Sequence, residues 1–318
     1  MRESFFKGLE KVIAKDKRVI LLTSDTGFSV LDNIRRDYKD RCYNVGIAEQ
    51  NMIGVAAGLA MTGKIVYVYA IIPFVTMRCW EETRVDVCAQ NLNVKLIGVG
   101  AGMDYSTLGP THHAHEDIAV MRALPNMTIL SPCDKVSAEN FAELSYEISG
   151  PVYVRFERYA GDAVYASYFK PHHFDNGLNI VKVVSLDEVA VANAKKDVVL
   201  IATGRMVTKA IEVSEKLSSH SIGSVVVDLY MIKPLNLELL YAVINGAKAV
   251  VTIEEHSIIG GIGSAISEII AEKGFKCNFR RIGLPDEFCH QYGNRDFLHK
   301  LNKLDVETMT ETILEMLE

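Results

Sequence analysis

The sequence predicts an α/β protein of two domains, a larger one followed by a smaller one, in which the strands form largely parallel sheets. Short apolar runs, such as 19–22 and 152–156, alternate along the chain with segments of helical periodicity, such as 3–14. This alternation is typical of parallel strands whose crossover connections are helices. With 318 residues, the chain is long enough to form two hydrophobic cores of ordinary size.

The first unit is predicted from apolar runs and from apolar residues at helical spacing. Its elements are helix 3–14, strand 19–22, helix 49–62, strand 64–72, helix 75–89, strand 93–99, helix 116–123, strand 128–130, helix 137–148 and strand 152–156. The loop over residues 100–116 contains several glycines and is longer than a simple connection requires. We therefore expect this 100–116 loop to carry functional residues.

The second unit repeats the alternating pattern over a shorter length. Its elements are strand 197–202, helix 206–217, strand 224–229, helix 236–244, strand 249–253, helix 261–272, strand 277–282 and helix 306–317. Residues 159–194 lack a sustained period and contain Gly161, Pro171 and Gly177, which indicates a linker with some extended structure. The predicted domains are residues 1–165 and 195–318, joined by a linker over 166–194.

Composition and charge disfavour several classes of protein. The net charge is −6 and no long basic run occurs, which argues against a nucleic-acid surface. The apolar runs are too short to cross a bilayer, and the N-terminus does not resemble a signal peptide. The 6 cysteines lack a C-x-x-C pair, as expected of reduced residues in a cytoplasmic protein.

A glycine-rich turn at 260–263 follows the strand 249–253 and the segment Glu254-Glu255-His256. A strand-to-helix turn of this kind can bind a nucleotide phosphate. The full G-x-G-x-x-G pattern and a well-placed partner acid are missing here. The sequence therefore favours packing over nucleotide binding at this turn and disfavours an NAD-dependent oxidoreductase.

Glu49 is the foremost candidate functional residue because it lies in the first turn of the predicted helix 49–62. The helix dipole there favours a charged carboxylate, whereas burial favours the neutral acid. The small residues Gly54, Ala57 and Gly58 allow another backbone to approach, either the sheet of this chain or a partner. From the residues alone, Glu49 is either a group that handles protons or a carboxylate that caps the helix.

Three histidines, His112, His113 and His115, lie close together in the 100–116 loop, next to Glu116 and Asp117. Zinc favours imidazole ligands, so the cluster is compatible with a metal site. A histidine of near-neutral pKa is equally suited to moving protons. The residues alone leave both interpretations open.

A series of short motifs runs along nearly the whole chain. They are Ile-Ala-Glu-Gln-Asn at 47–51, Ala-Ala-Gly-Leu-Ala at 56–60, Phe74, Gly-Pro-Thr-His at 109–112, Arg-Ala-Leu-Pro-Asn-Met at 122–127, Ser-Pro at 131–132, Glu-Glu-His at 254–256 and Gly-Gly-Ile-Gly-Ser at 260–264. In order and spacing, this series resembles transketolases and related thiamine-diphosphate enzymes. The resemblance implies a pyrimidine-binding fold followed by a transketolase C-terminal-like α/β domain that serves mainly in assembly.

The resemblance also implies a cofactor site for thiamine diphosphate. A glutamate matching Glu49 hydrogen-bonds to the N1′ atom of the cofactor and so helps its activation, and such acid–base help is typically worth roughly 10²–10⁴-fold in rate. Phe74 matches the aromatic residue that stacks on the aminopyrimidine. Met77, with Arg78 next to it, stands where many relatives have a second aromatic residue. Asp25 is a further candidate because it follows a strand end, although it is equally compatible with a turn-forming residue.

Further residues match substrate-binding positions of the family. The pattern Gly-x-Thr-His places His112 opposite the cofactor and a substrate oxygen, which makes the zinc interpretation the weaker one. His113 stands where relatives usually have glutamine and is a secondary candidate, whereas His115 is expected at the surface or behind the site. Ser29 and Arg158 match residues that contact a sugar phosphate, and a bidentate contact with an anion suits arginine.

Two positions depart from the family pattern. Leu108 replaces an aspartate that reads a hydroxyl of the donor, and Gly100 replaces a histidine that contacts substrate. A leucine cannot accept a hydrogen bond, so a site built to read that hydroxyl would lose discrimination. We therefore predict a donor or acceptor that differs from the common pentose-phosphate pair, with its phosphate bound elsewhere.

The Gly-Asp-Gly motif that holds Mg²⁺ (or Ca²⁺) on the diphosphate is not found, because Gly161-Asp162 is followed by Ala163. No metal site is therefore predicted on this chain. We expect it to be the C-terminal, β subunit of a split transketolase, with the diphosphate domain on an N-terminal subunit in an α2β2 heterotetramer. The predicted reaction moves a two-carbon ketol unit between sugars or sugar phosphates.

Two alternatives remain open from the sequence. Within the family, the chain is also compatible with the β subunit of a 2-oxo acid dehydrogenase or with an enzyme like deoxyxylulose-phosphate synthase. Outside it, the alternative is a non-catalytic assembly or regulatory subunit. The combined presence of Glu49, Phe74 and His112 favours a catalytic subunit.

Overall fold

The computed structural model describes residues 1–159, 161, 163–165, 174–184 and 196–318, and in them the chain forms two α/β units. Residues 166–173 and 185–194 of the predicted linker lie outside the described residues. The two units are built on sheets of seven and five strands in this described part. The predicted fold class is confirmed.

The first sheet explains the uninterrupted apolar runs of the first unit. Its strands, in spatial order, are β10 (Met231–Lys233), β5 (Thr128–Leu130), β6 (Val152–Phe156), β4 (Val94–Val99), β3 (Ile65–Ile71), β1 (Val19–Thr23) and β2 (Cys42–Asn44). All pairings are parallel except that of β10 with β5. The inner strands β1, β4 and β6 are buried throughout because helices cover both faces. The sequence did not predict the edge strands β2 and β10, since they are largely half-buried or exposed and neither forms a buried apolar run.

The helices of the first unit cover its sheet on both sides. They are α1 (Arg2–Lys15), α2 (Asp32–Asp37), α3 (Glu49–Met61), α4 (Ile72–Val75), α5 (Trp80–Glu82), a π-helical segment (Thr83–Cys88), α6 (Asp117–Arg122) and α7 (Lys135–Glu147). Helices α1 and α7 share one hydrophobic core, and α3 belongs to the core on the other face. Within the described residues, no helix is both long and apolar enough to cross a membrane.

The single helix predicted over residues 75–89 is wrong. Strand β3 runs directly into α4, which carries Pro73 in its first turn, and α4 ends after one turn. There the Thr76 hydroxyl donates to the carbonyl of Ile72 at 2.6 Å, and the chain resumes as α5 and the π-helical segment. Irregular helical turns of this kind are frequent at functional sites.

The second sheet carries the smaller unit. Its strands, in spatial order, are β12 (Asn278–Leu284), β11 (Ala249–Ser257), β8 (Val198–Ala202), β9 (Ser224–Asp228) and β7 (Asn179–Val184). The helices are α8 (Met206–Ser219), α9 (Leu237–Ile244), α10 (Ile262–Lys273), α11 (Arg295–Leu301) and α12 (Val306–Leu317). Strand β7 pairs antiparallel with β9 and lies in the stretch predicted as a linker with some extended structure.

Helix α3 is only half covered by its own chain. Met52, Ile53 and Ala57 are buried in the core. Gly54 and Gly58 point outwards, and a Cβ added at either position would meet no atom within 4 Å. The interpretation that these two glycines serve packing against this chain's own sheet is therefore wrong, and their face of α3 is open.

The glycine-rich turn at the start of α10 is filled from within the chain. Both carboxylate oxygens of the buried Glu254 accept backbone N–H bonds, from Ile262 at 2.7 Å and Gly263 at 2.8 Å. A Cβ at Gly261 would collide with the same carboxylate, so glycine is required there. Glu254 takes the place that a ligand phosphate would need, which supports the packing interpretation.

Candidate active site

The candidate side chains gather at one edge of the first sheet. Strands β1, β3, β4 and β6 run parallel, so their carboxyl ends meet at the same edge. Asp25 follows β1, Phe74 follows β3, the 100–116 loop follows β4 and Arg158 follows β6. Glu49 begins α3 shortly after β2 ends. The fold thus collects residues that are far apart in sequence.

Glu49 is a buried carboxylate with one bonded oxygen. The residue is 3% exposed, and Arg78 Nη1 donates to its Oε2 at 2.7 Å. Its Oε1 makes no hydrogen bond with any residue that the structure describes. Helix α3 has Ala48 as its N-cap and lacks a side-chain capping bond, so the interpretation of Glu49 as the helix cap is wrong. One oxygen of this carboxylate is therefore open to a further partner.

Phe74 contacts two other candidate residues, Arg78 and His112. The guanidinium carbon of Arg78 lies 4.2 Å from the centroid of the Phe74 ring, and the His112 ring lies edge-on at 5.2 Å. Arg78 therefore covers the Phe74 ring and neutralises Glu49 at the same time. Its side chain is 43% exposed, so it can leave this position at little cost in packing. Met77 is half-buried in the same irregular turn.

His112 is held as a neutral imidazole beside this group. Its Nδ1 lies 2.9 Å from the Thr111 hydroxyl, and its ring also contacts Tyr105 at 5.7 Å between centroids. Partial burial and the charge of Arg78 lower the pKa of His112 below its usual value. The ring is therefore uncharged at neutral pH and can either give or take a proton at a nearby oxygen.

His113 and His115 form a buried stacked pair behind the loop surface. Their ring centroids are 5.1 Å apart, and burial lowers both pKa values, that of His115 to about 4. A surface position for His115 is wrong, since the residue is 5% exposed. In the described ranges, no group of three His, Cys, Asp or Glu residues is arranged to hold a metal ion, so the zinc interpretation finds no support.

The need for glycine at position 100 is explained by the neighbouring ring of Tyr105. The φ of Gly100, +96°, favours glycine, and a Cβ added there would collide with Cε2 of Tyr105. The Tyr105 ring thus occupies the space of a side chain at position 100. It also lies 4.3 Å from the guanidinium carbon of Arg158. The sequence did not single out Tyr105, because this contact depends on how the loop folds back.

Arg158 is already engaged by an acidic residue. Asp104 Oδ2 accepts from the Arg158 backbone N–H at 2.8 Å and from Nε at 3.3 Å, and the Asp104 carbonyl accepts from Nη2 at 2.8 Å. Asp104 is a further site residue that sequence reasoning missed. Leu108, in the same loop, is 47% exposed.

Asp25 and Ser29 lie at the periphery of this group. Asp25 is exposed with a φ of +54°, and Asn44 bonds both its backbone N–H and its carboxylate. Ser29 is also exposed with a positive φ. In the described part of the chain, neither makes a hydrogen bond or ring contact with Glu49 or Phe74. The structure thus brings Glu49, Phe74 and their neighbours together, but Asp25 and Ser29 do not contact this group.

Comparison with known proteins gives concordant results for both units. The family model described as "Transketolase, pyrimidine binding domain" matches residues 1–162, and "Transketolase, C-terminal domain" matches residues 187–309. The chain is 35% identical to the putative transketolase C-terminal section of Methanocaldococcus jannaschii, over 99% of this chain and 95% of that protein. It is 33% identical to one of the subunits of the apulose-4-phosphate transketolase of Phocaeicola vulgatus, over 100% and 97% of the two chains.

The solved structures lead to the same family. A split-gene transketolase, solved as an inactive β4 tetramer, matches with a TM-score of 0.87 and 32% identity, over 99% of this chain and 97% of that chain. The match covers both units and nearly the full length of each chain. Taken with the site around Glu49, these findings show that the chain belongs to the transketolase family.

Proposed function

We propose that this chain is the catalytic β (C-terminal) subunit of a heteromeric transketolase, which transfers a two-carbon ketol unit from a ketose to an aldose or keto-sugar acceptor. One observation carries the proposal: among the described residues, the buried Glu49 keeps one oxygen unbonded, and its only side-chain partner, Arg78, also covers the Phe74 ring. His112 contacts the same ring. The proposed pyrimidine-binding domain spans residues 1–165 and the C-terminal domain 195–318.

The residues present fit the aminopyrimidine of thiamine diphosphate. Glu49 Oε1 can hold a proton at a ring nitrogen, and the Phe74 face can stack on a planar heterocycle once Arg78 moves aside. Met77 lies in the same turn and is a further proposed cofactor contact. Arg78 is the side chain that the bound ring displaces from Phe74, and Asp25 lies at the edge of the site. Bound thiamine diphosphate supplies the nucleophilic carbon for ketol transfer.

The chain's own contribution is to hold and move protons. Glu49 lies at the positive end of α3, where its carboxylate can share a proton with a bound ring. His112 is neutral, so it can move a proton to or from a substrate oxygen. We infer that His113 supports His112 from behind rather than meeting substrate, because it is only 3% exposed.

The proposal includes a partner that carries the diphosphate site. The sequence has no Gly-Asp-Gly motif, and the described residues contain no triad of metal-ligating side chains. We therefore place Mg²⁺ (or Ca²⁺) on an N-terminal subunit in an α2β2 heterotetramer. The open face of α3 is the proposed contact, since Gly54 and Gly58 allow close approach and Val55 and Met61 are exposed beside them. The related split-gene transketolase is inactive as a β4 tetramer, which agrees with a need for such a partner.

The substrates are proposed to be sugars or sugar phosphates other than the common pentose-phosphate pair. The Asp104 carboxylate accepts from Arg158 Nε at 3.3 Å, so the charge of Arg158 is partly compensated before substrate arrives. Ser29, exposed at the periphery of the site, is a second proposed contact for a substrate anion. We expect the enzyme to act in the cytoplasm, because all 6 cysteines are free.

The function is tested by reconstituting this chain with the N-terminal transketolase subunit of the same organism, Mg²⁺ and thiamine diphosphate. We expect two-carbon transfer from hydroxypyruvate or a ketose to an aldehyde acceptor by the mixture, and none by either subunit alone. Turnover driven by pyruvate instead would establish a deoxyxylulose-phosphate-synthase-like activity. An inert mixture that still forms a complex would indicate an assembly subunit and contradict the proposal.

A further inference from the structure

The 100–116 loop lacks two polar side chains that the family resemblance leads one to expect. Gly100 has no side chain, and Leu108 offers no hydrogen bond. Yet a sugar donor carries hydroxyl groups beyond the two carbons that are transferred, and these need partners when they leave water. If the proposed function holds, on which this inference rests, another group of the chain has to meet these hydroxyls.

Tyr105 lies where such a partner is required. Its ring fills the space above Gly100 and contacts His112, with 5.7 Å between the ring centroids. His112 in turn contacts Phe74, the aromatic residue of the proposed cofactor site. Tyr105 is only half-buried, so part of its side chain is open to solvent.

The ring is fixed by charged groups behind it. The guanidinium carbon of Arg158 lies 4.3 Å from the Tyr105 centroid, and Asp104 holds Arg158 in place. Asp104 is itself anchored by Arg295 of the second unit, whose Nη1 lies 3.6 Å from its Oδ1. A ring held on three sides presents its hydroxyl in a defined direction, as a residue that selects substrates must.

The Tyr105 hydroxyl is available for a ligand. Among the residues that the structure describes, it makes no hydrogen bond. A phenol both donates and accepts, so it can meet either a hydroxyl or a carbonyl oxygen. Partial burial raises the pKa of Tyr105, which keeps its proton in place at neutral pH.

We propose that Tyr105 is a substrate-contacting residue that determines donor specificity by hydrogen-bonding a hydroxyl of the ketose beyond the transferred two-carbon unit. It takes over, from a different position of the loop, the contact that Gly100 and Leu108 cannot make. In place of the aspartate and histidine of the family, this loop offers a neutral phenol. We therefore expect a donor that is recognised by hydrogen bonds to its hydroxyl groups rather than by a phosphate bound to Arg158.

The test uses the reconstituted complex with Tyr105→Phe, which removes the hydroxyl and keeps the ring on Gly100 and Arg158. Two donors are compared: L-erythrulose, or D-xylulose 5-phosphate if that is turned over faster, and hydroxypyruvate, which carries the same two-carbon unit and no hydroxyl beyond it. We expect kcat/KM for the ketose to fall about three- to tenfold, the loss of one neutral hydrogen bond, and kcat/KM for hydroxypyruvate to stay within about twofold. Thiamine-diphosphate affinity should not change.

Tyr105→Ala is the second variant, because it also removes the packing on Gly100 and Arg158. It should impair both donors, with the larger loss again for the ketose. An equal loss for both donors in Tyr105→Phe, or no loss for either, would overturn the assignment of Tyr105. A wild-type complex that turns over no donor at all would instead contradict the proposed function, and this inference would fall with it.

Discussion

Glu49, in the first turn of α3, and Glu254, whose side chain reaches from β11 to the first turn of α10, are both buried carboxylates, yet their partners differ. Glu254 is bonded through both oxygens to backbone N–H groups at the start of α10, at 2.7 and 2.8 Å. Glu49 is bonded through one oxygen to Arg78, a side chain that is 43% exposed. The partners of Glu254 cannot leave without unwinding the helix, whereas the partner of Glu49 can simply swing away.

The difference explains why chemistry is expected in one unit and structure in the other. A carboxylate whose partners are backbone groups of a helix is fully used in stabilising that helix. A buried carboxylate whose charge is compensated by a movable arginine can exchange that partner for a ligand at low cost. Arg78 also covers Phe74, so a single movement would open both the hydrogen-bonding group and the stacking face.

The largest expected effect comes from Glu49→Gln, which keeps the shape of the side chain and removes its ability to hold a proton. We expect ketol transfer by the reconstituted complex to fall by roughly 10²–10⁴-fold. The melting temperature should hardly change, because a glutamine oxygen can still accept from Arg78. Retention of more than a tenth of the activity would show that Glu49 does not handle a proton.

Glu254→Ala should have the opposite effects: it should lower the stability of the protein and leave its activity nearly unchanged. It leaves the N–H groups of Ile262 and Gly263 buried without an acceptor, which costs about 1–3 kcal/mol for each unpaired group. Thermal unfolding should therefore begin at lower temperature, while kcat of the folded complex stays near that of the wild type. A catalytic loss as large as that of Glu49→Gln would break the distinction between the two carboxylates.

The Glu254→Ala effect should also depend on pH. Burial raises the pKa of Glu254 to about 7 from an ordinary value near 4.5, so the folded state holds the proton more tightly than the unfolded state does. Its contribution to stability is then fully present below about pH 4.5 and falls as the pH rises towards 7. The difference in melting temperature between wild type and Glu254→Ala should accordingly shrink from about pH 5 to about pH 8. A difference that grows over this range would contradict the direction of the pKa shift.

The smallest effect is expected for Arg78→Met, which removes the movable partner of Glu49. The cofactor-free protein should lose about 1–3 kcal/mol, because methionine leaves one buried oxygen of Glu49 without its donor. The cofactor-bound complex should lose less, because the bound ring would replace Arg78 beside Glu49. Thermal shift assays on the reconstituted complex with and without thiamine diphosphate would measure the rise in melting temperature that the cofactor causes. We expect this rise to be larger in Arg78→Met than in the wild type. A smaller rise in the variant would mean that Arg78 itself binds the cofactor.

The sequence predicts those parts of the molecule that depend on local pattern. Strands β5 and β6 coincide with the predicted bounds, because a buried parallel strand reads as an unbroken apolar run. The helix over 75–89 could not be predicted correctly, because apolar residues keep a helical spacing through this segment although the helix is interrupted after α4. The family resemblance pointed to Glu49, Phe74 and His112, which the structure brings together.

Other features depend on how the chain folds back, either within one loop or between distant segments. The pairing of Tyr105 with Gly100 requires the loop to fold back, and the bond of Asp104 to Arg158 joins residues 54 positions apart. The glycine-rich turn before α10 is compatible with a phosphate by pattern alone, yet Glu254 fills it in the fold. A pattern in one segment does not reveal which side chain of another segment occupies the same space.

The most direct test of the central claim is isothermal titration calorimetry with thiamine diphosphate and Mg²⁺. It is performed on this chain alone, on the N-terminal subunit alone and on their mixture. Since Glu49 and Phe74 offer half of a cofactor site, we predict saturable binding by the mixture and none by this chain alone. Tight binding by this chain alone would contradict the split-site account, because it would require a diphosphate and metal site within these 318 residues.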